Sequence, residues 1–379
     1  MAKKVEKSQK FTTKEEILAN ALKNIRDKFG DGAIMRLGDE VQAPMDVIPT
    51  GILQLDVALG IGGIPRGRIV EIYGPEGGGK TTIALHALAE AQKKGGLVAF
   101  VDAEHALDPR LAAAIGVDTT NLYLSQPDSG EQAFFIVDEL VRSGTFDLIV
   151  VDSVAALTPQ AEIDGHIGDT VQMGLHARLM SYALRRLTAV IAKSKTTVIF
   201  INQLRAQIST GYQQGPTETT TGGRALKFYS SLRIDVRRTG QIKVSDEVIG
   251  HELAIKIVKN KMAPPFRTAR CSLIYGKGVP KTMAVVDMGI DYGILKKKGS
   301  WITYKGESIA QGREKASEFF EENPDVMEEV KSLILKKVAE NLGMIDPEPE
   351  EPEDELDAIQ KAEEALIKEG VLNIDVNGN

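Results

Sequence analysis

The chain of 379 residues has a single cysteine, Cys271, and lacks any long apolar run. One cysteine excludes an internal disulfide framework and a cysteine-based zinc site, and its apolar setting favours a packed strand residue over a reactive thiol. No segment approaches the roughly 18 apolar residues of a membrane span, and the opening MAKKVEKSQK has no apolar stretch behind it. We therefore expect a cytoplasmic protein with no membrane partner and no redox role for the thiol.

The composition is that of a globular protein, with 42% hydrophobic and 26% charged residues. A chain of this length can bury a full core and still form a smaller satellite domain. The net charge of −7 argues against bulk electrostatic attraction to nucleic acid. The acid is unevenly distributed, however, so the total charge does not exclude local basic surfaces.

The most specific motif follows the apolar run 69–73 and precedes a helical segment, 82–92. It fits the pattern G-x-x-x-x-G-K-[ST] and consists of Gly74, Pro75, Glu76, Gly77, Gly78, Gly79, Lys80 and Thr81, with Thr82 next. Glycines let backbone N–H groups turn inward around anionic oxygens, and the helix N-terminus adds further donors. This motif predicts binding of a nucleoside triphosphate, with Lys80 on the β and γ phosphates and Thr81 on Mg²⁺.

Three more apolar runs end in polar residues that suit the same chemistry. Asp152, after 148–151, would orient the Mg²⁺ shell, and Gln203, after 197–202, would bind the γ-phosphate. Glu104 would position or deprotonate the attacking water, with Asp102 as a competing candidate. Strands separated by helical periods predict a doubly wound, mostly parallel sheet, whose ligand crevice lies at the carboxyl ends of the strands.

Two polar loops indicate a polyanionic ligand. The segment 205–224 is too long and too polar for a passive connector, and a Gly-rich loop, 162–169, opens onto a helix with Arg178, Arg185 and Arg186. Arg178 and Arg185 are seven residues apart and share a helical face, so both can contact one phosphate backbone. The alternatives are a surface excursion and a solvated helix face.

The N-terminal part contains an amphipathic helix. A capping-box pattern at Thr13–Glu16 is followed by apolar residues on one face, from Leu18 to Phe29, and by Gly30 as a stop. The apolar stripe either folds back on its own core or docks on another subunit. The residues alone leave both possibilities open.

Several segments together resemble the bacterial RecA recombinases over about residues 10–340. They are GPEGGGKTT, VDAEHALDP, LIVVDSVAALTP, IFINQ, TTTGGRALKFY and IVKNKMAPPF. The resemblance implies a RecA-type phosphate-loop ATPase core with a central mostly parallel sheet, an N-terminal protomer-docking helix and a small α/β C-terminal domain. It implies an N-terminal oligomerisation segment at 1–45, the ATPase core at 46–280, the small domain at 281–345 and an acidic tail at 346–379.

The resemblance also implies an activity. RecA recombinases are DNA-dependent ATPases that form helical filaments on single-stranded DNA, pair it with homologous duplex and catalyse strand exchange in recombinational repair. Their filaments activate self-cleavage of a LexA-type repressor in the SOS response. The alternative is a RecA-fold hexameric helicase or clock-type ATPase, which would carry a different N-terminal domain or a duplicated core.

Site residues transfer position by position. Glu104, Lys80 and Gln203 match catalytic residues, Asp108 matches an adenine contact, and Asp152 the acid near the metal. The residues that match contacts to the neighbouring subunit's ATP site are Lys259, Lys261 and Phe228. The residues that match DNA contacts, or that would wedge between bases, are Met173, Arg178, Arg185, Arg205, Ile208, Gly222 and Gly223.

Some features depart from the family pattern or have no counterpart in it. The two DNA-binding loops are one and two residues longer than in the commonest members, and Leu111 stands where many members have an aromatic that stacks on adenine. In the part that resembles the family's small domain, Lys296, Lys297, Lys298 and Lys305 predict either a basic patch that guides duplex DNA or a solvated surface run. Beyond the acidic run 346–355, apolar residues at near-helical spacing, in 356–372, have no assigned role.

Overall fold

The computed structural model describes residues 13–36, 45–166, 174–206, 218–244 and 246–341. It divides into two compact units, 1–46 and 47–379. In the first, α1 (Lys14–Phe29) begins at the predicted capping box: Glu16 N donates to Thr13 Oγ1 at 3.3 Å, and Thr13 N donates to Glu16 Oε2 at 3.0 Å. A 3-10 turn (Asp31–Ala33) follows. Leu18 and Phe29 are 53% and 68% exposed, so the described residues leave these two members of the apolar stripe uncovered.

The second unit is built on a nine-stranded sheet. The strands of the chain are β1 (Val47–Ile48), β2 (Ile64–Pro65), β3 (Ile69–Gly74), β4 (Leu97–Asp102), β5 (Leu122–Ser125), β6 (Phe146–Asp152), β7 (Thr197–Ala206), β8 (Glu218–Thr220), β9 (Leu232–Val244), β10 (Glu247–Asn260), β11 (Thr268–Ile274), β12 (Lys296–Lys298), β13 (Trp301–Tyr304) and β14 (Glu307–Gln311). The order in the large sheet is β11-β10-β9-β3-β7-β6-β4-β5, with β8 paired to β7. In this order, each strand from β9 to β5 is parallel to its neighbour, which confirms the predicted mostly parallel sheet.

Helices cover both faces of this sheet. The helices that follow α1 are α2 (Leu53–Leu59), α3 (Lys80–Lys93), α4 (Pro109–Ile115), α5 (Gly130–Ser143), α6 (Gln160–Ile163), α7 (Leu175–Ser194), α8 (Ala225–Tyr229), α9 (Lys281–Asp291), α10 (Arg313–Glu322) and α11 (Pro324–Asn341). Alternate residues of a strand point to opposite faces, so Val150 joins the apolar cluster with Leu88 of α3, and Val151 joins the cluster with Leu184 of α7. None of the helices in the described part of the chain is long and apolar enough to cross a membrane.

One edge of the sheet differs from a uniformly parallel arrangement. The short connection after Val244 makes β9 and β10 a long antiparallel hairpin, and β11 pairs antiparallel with β10. A connection this short cannot carry the crossover that a parallel pair needs. Cys271 is buried in β11, as expected, and burial raises the pKa of its thiol to about 12.

The small C-terminal domain has its own apolar cluster, which includes Phe320 and Ile334, and a three-stranded antiparallel sheet, β12–β14. Arg313 joins it to the large sheet: its guanidinium pairs with Asp287 of α9 and, at 3.3 Å, with Glu252 of β10. The predicted lysine patch forms β12, in which all three lysines are exposed. The predicted acidic tail and the segment after it lie outside the described residues.

Candidate nucleotide and DNA site

The phosphate loop lies where β3 ends and α3 begins. No side chain among the described residues caps α3, so the backbone N–H groups of its first turn are available to an anion. Gly79, just before the helix, has φ 84°, a left-handed conformation that favours glycine. A Cβ on Gly74 would lie 2.1 Å from the carbonyl oxygen of Val236 in β9. The glycines therefore permit both the turn and the close approach of two strands.

Lys80, Thr81 and Asp152 converge next to this loop. The Lys80 ammonium donates to the Pro75 carbonyl at 2.7 Å, and the Thr81 hydroxyl donates to Asp152 Oδ2 at 2.6 Å. Burial lowers the pKa of Lys80, although Asp152 and Glu104 oppose this effect. Burial also raises the pKa of Asp152 to about 6, against the hydrogen bond from Thr81. A cation and two oxygen ligands are thus held together in a partly desolvated pocket.

Glu104 and Gln203 meet at the same edge of the sheet. Gln203 Nε2 donates to Glu104 Oε1 at 2.6 Å, and the Ser153 hydroxyl donates to the same oxygen. Glu104 and Ser153 follow β4 and β6, and Gln203 lies in the second half of β7; the three strands are neighbours in the sheet and parallel. Their carboxyl ends therefore bring residues far apart in sequence into contact.

Asp102, the competing candidate, has a different environment. It is buried, and its carboxylate accepts hydrogen bonds from Ala106 N at 3.1 Å, Leu107 N at 3.2 Å and Gln126 Nε2 at 3.1 Å. These bonds hold the loop that carries Glu104. Since its oxygens are occupied, Asp102 positions the loop, whereas the Glu104 side chain is exposed to the site.

A cavity of about 320 Å³ adjoins the phosphate loop. Its far side is formed by Leu111, His251, Leu273, Ile274, Tyr275, Gly276 and Gly278. Asp108, the predicted adenine contact, caps α4, with its Oδ1 accepting from Arg110 N at 2.8 Å. Leu111 of the same helix lines the cavity.

Sequence reasoning missed the contribution of the antiparallel edge to this cavity. His251 Nδ1 and Tyr275 Oη are 3.4 Å apart, and their ring centroids are separated by 5.5 Å. Burial lowers the pKa of His251. The only available signal was an imidazole and a tyrosine near the ends of two apolar runs, and nothing local connects them to a phosphate loop.

The predicted interface residues lie close to one another. The Lys259 ammonium donates to the carbonyl oxygens of Lys227 at 2.7 Å and of Phe228 at 3.1 Å. Burial lowers the pKa of Lys259, and the charges of Lys261 and Arg233 add to this effect. The Phe228 ring is 70% exposed.

These residues are distant from the phosphate loop of their own chain. Lys261 N donates to Ser231 O, and Ser231 N donates to Ile69 O, so Lys261 is level with the beginning of β3. Gly74, where the loop begins, is five residues further along, or about 17 Å in a strand. Lys261 therefore lies near the opposite end of β3 from the phosphate loop. Lys259 pairs with Arg233, which pairs with Glu71 of β3, so Lys259 lies two strands across from β3 and short of the phosphate loop.

The predicted DNA-contacting arginines are exposed. Arg178 and Arg185 lie on α7, and Arg205 lies near the end of β7. Arg186, next to them on α7, instead pairs with Asp138 at 2.7 Å. The three exposed guanidiniums are therefore accessible to a phosphate backbone.

The last residues of the second polar loop pack against α7. Gly222 and Gly223 follow β8, and a Cβ on Gly223 would lie 2.9 Å from the Cβ of Ala177. Met173 and Ile208, which would wedge between bases, lie outside the described residues. The end of the loop at which the chain returns to the core is thus packed tightly against α7.

A buried network that the sequence did not reveal lies behind Gln203. Asn202 Nδ2 donates to Glu71 Oε1 at 3.0 Å and to Thr221 O at 3.1 Å, while Asn202 Oδ1 accepts from Thr221 Oγ1 at 2.9 Å. Glu71 is fully buried and pairs with Arg233. The network joins the strand that carries Gln203 to the returning end of the second loop.

A phosphate loop at the carboxyl end of a central parallel strand, with acidic groups from neighbouring strands beside it, defines a phosphate-loop ATPase. Comparison with known proteins defines the family. The RecA N-terminal domain model matches residues 16–280, and the RecA C-terminal domain model matches residues 283–339. The chain belongs to the RecA family.

Curated relatives named Protein RecA agree with this assignment. The one from Frankia casuarinae is 56% identical over 332 residues, covering 88% of this chain and 94% of the relative. The one from Saccharopolyspora erythraea is 55% identical, covering 89% and 97%, and the one from Streptomyces coelicolor is 54% identical, covering 93% and 92%. The chain is a DNA-dependent ATPase and recombinase that binds nucleotide and DNA and forms filaments. The helicase or clock-type alternative is not favoured.

Proposed function

We propose that this chain binds ATP with Mg²⁺ and uses the bound nucleotide to assemble a filament on single-stranded DNA. The observation that carries the proposal is the contact of Gln203 with Glu104, 2.6 Å apart, beside the Thr81–Asp152 pair. On this proposal, phosphate binding, water activation and loop control would share one edge of the sheet.

The donor set fits Mg²⁺. This ion takes a few protein oxygens and completes its shell with phosphate and water, and a threonine hydroxyl 2.6 Å from a carboxylate suits that preference. Thr81 and Asp152 would hold the ion, which would neutralise charge on the β and γ phosphates when bound. Lys80 would leave the Pro75 carbonyl to bind the same phosphates, with the N–H groups of α3 around them.

Hydrolysis requires an ordered water at the γ-phosphate. This role is supported for Glu104 by the backbone hydrogen bonds that occupy the Asp102 carboxylate and leave that of Glu104 free. Water adds to the γ-phosphorus, the bond to the β-γ bridging oxygen breaks, and ADP and phosphate leave. Gln203 would exchange Glu104 for a γ-phosphate oxygen while ATP is present and return to Glu104 after release.

Nucleotide state would reach DNA through the strand that carries Gln203. A shift of this residue moves Asn202 and its bonds to Thr221, next to Gly222 and Gly223. Arg178, Arg185 and Arg205 would bind DNA phosphates, and Met173 and Ile208 would separate base steps. Such contacts are independent of sequence, so Watson–Crick pairing would select the homologous duplex.

Filament assembly would complete the ATP site. Lys259 and Lys261 are too far from their own phosphate loop, so they would act on the nucleotide of the next subunit. Phe228 would lie at the same interface between subunits. The exposed stripe of α1 would dock on an adjacent protomer, which makes 1–45 an oligomerisation segment beside the ATPase core (46–280) and the small domain (281–345). The filament would also promote cleavage of a LexA-type repressor, and chromosomal DNA as substrate implies the cytoplasm.

The test compares Glu104→Gln, Lys80→Ala and the matched surface variant Glu139→Gln with the wild type. We expect Glu104→Gln to bind ATP and DNA but to lower DNA-stimulated ATP hydrolysis by about 100-fold or more. Lys80→Ala should lose nucleotide-dependent filament formation and strand exchange, and Glu139→Gln should match the wild type. Hydrolysis by Glu104→Gln within a few fold of the wild type, or wild-type hydrolysis that is equal without DNA, would contradict the proposal.

A further inference from the structure

One cavity of the second unit is a mainly apolar groove that includes no residue of the phosphate loop. It has a volume of about 590 Å³ and lies between the core and the small domain. Its apolar walls are Leu53 and Val57 of α2, Val285 of α9, and Met327, Leu335 and Val338 of α11. A groove of this size and character accommodates a cluster of aliphatic side chains.

The dimensions of the groove match a short helix. Its lining extends along α11 from Met327 to Ala339, about 18 Å at the helical rise. Leu335 is 43% exposed. Glu328 and Lys331 of the same helix also line the groove, so charged side chains are interspersed with its apolar residues. Three turns of an amphipathic helix have the length to cover this wall.

The chain itself contains a segment of that kind. Leu356, Ile359, Leu366 and Ile367 follow the near-helical spacing noted above, and Leu356 to Leu366 corresponds to about 15 Å of helix. The ATPase core, the DNA-contacting residues and the acidic run leave this segment unused.

The position of the chain end favours this occupant. The described part of α11 ends at Asn341, two residues beyond Ala339 of the groove. About 15 residues separate Asn341 from Leu356, and these could span about 50 Å at most, far more than the groove requires. A tether of this length gives an effective concentration in the millimolar range.

The charges near the end of α11 also favour this segment as the occupant of the groove. The connecting residues 346–355 are rich in Asp and Glu. Asn341 lines a second cavity, of about 510 Å³, whose charged lining residues are Arg267, Arg270 and Asp291. The acidic connection would therefore leave α11 beside two cations and one anion, a net positive charge.

We propose that the segment 356–367 of the same chain docks in the groove between α2, α9 and α11, with its apolar residues on Val57, Leu335 and Val338. The docked segment contacts the core and the small domain at once. It therefore holds the small domain against the core, independently of nucleotide and DNA.

The single buried Cys271 makes a direct test possible, because its thiol will not compete for a reagent. Leu335→Cys places a thiol in the groove, and Leu333→Cys places one on α11 outside the lining. Each is made in the full chain, alone and together with Ile359→Asn and Leu366→Asn. Alkylation by iodoacetamide is followed by mass spectrometry.

For an effective concentration of about 1 mM and a docking constant of about 0.1 mM, alkylation at position 335 should be about tenfold slower in the intact chain than with the two asparagines. The rate at 333 should not change. Changing the polar face, Lys361→Gln with Glu364→Gln, should leave 335 protected. Equal rates at 335 in all backgrounds would overturn the proposal, and so would protection that disappears on dilution, since that result identifies a second copy as the occupant.

Discussion

His86 predicts how the second unit responds to acid. It lies on α3, the helix that begins at the phosphate loop, and is 4% exposed. Its Nε2 accepts a hydrogen bond from Val279 N at 2.9 Å, just before the small domain begins. Burial lowers the pKa of His86 to about 4, the Lys281 charge lowers it further, and Glu90 opposes both. The ring is therefore neutral in the folded protein.

The size of the effect follows from the two states. An unfolded histidine titrates near pH 6.5, so protons bind the unfolded chain first as the pH falls. The stabilisation is fully present above about pH 6.5 and is lost as the pH falls to about 4. A difference of about 2.5 pKa units corresponds to about 3 kcal/mol in total, of which about 2.5 kcal/mol is lost by pH 4.5.

The assay is urea unfolding of the wild type and His86→Gln at pH 7.5 and 4.5. The glutamine side chain can accept the hydrogen bond from Val279 N and does not titrate. The free energy of unfolding that the variant loses relative to the wild type should therefore be about 2.5 kcal/mol smaller at pH 4.5 than at pH 7.5. The exposed His166→Gln is the control, because carboxylates change stability over the same range in every variant. A wild type and His86→Gln that lose equal stability between the two pH values would refute this reasoning.

Two further predictions concern buried groups. Glu71→Ala leaves the Arg233 charge without its buried partner and should lower the free energy of unfolding by about 3–5 kcal/mol in urea; a loss below about 1 kcal/mol would mean that the pair contributes little. Cys271 should react with a disulfide reagent at pH 8 at least about 100-fold more slowly in the folded chain than in urea, because burial suppresses its thiolate; comparable rates would show that β11 opens readily.

The parts of the site that could be predicted depend on local patterns and one rule of topology. The phosphate loop is a contiguous motif, and Asp152 and Gln203 each end an apolar run. Because the carboxyl ends of parallel strands meet at one edge of the sheet, the strand pattern is sufficient to predict that Asp152 lies near Thr81, 71 residues away in sequence. The capping box at Thr13 is equally local.

The parts that could not be predicted depend on long-range pairing. Glu71 interrupts an apolar run, and its partner Arg233 is 162 residues away, so the sequence offers no sign that the pair is buried. Tyr275 lines the cavity beside the phosphate loop because β11, which it follows, pairs antiparallel with β10. The choice between Asp102 and Glu104 depends on backbone donors that the strand pattern does not specify.

Two adjacent residues of β7 have partners on opposite sides of the strand. Gln203 and Asn202 point to opposite sides of the strand, the first toward Glu104 and the second toward Glu71 and Thr221. Gln203 N also donates to Asn202 Oδ1 at 2.9 Å, so the backbone of one is tied to the side chain of the other. The amide of Asn202 bonds a fully buried carboxylate on one side and a loop carbonyl on the other. Because leaving either partner unpaired is costly, the network favours discrete rearrangement over gradual deformation, and proposed signalling from nucleotide to DNA requires that property.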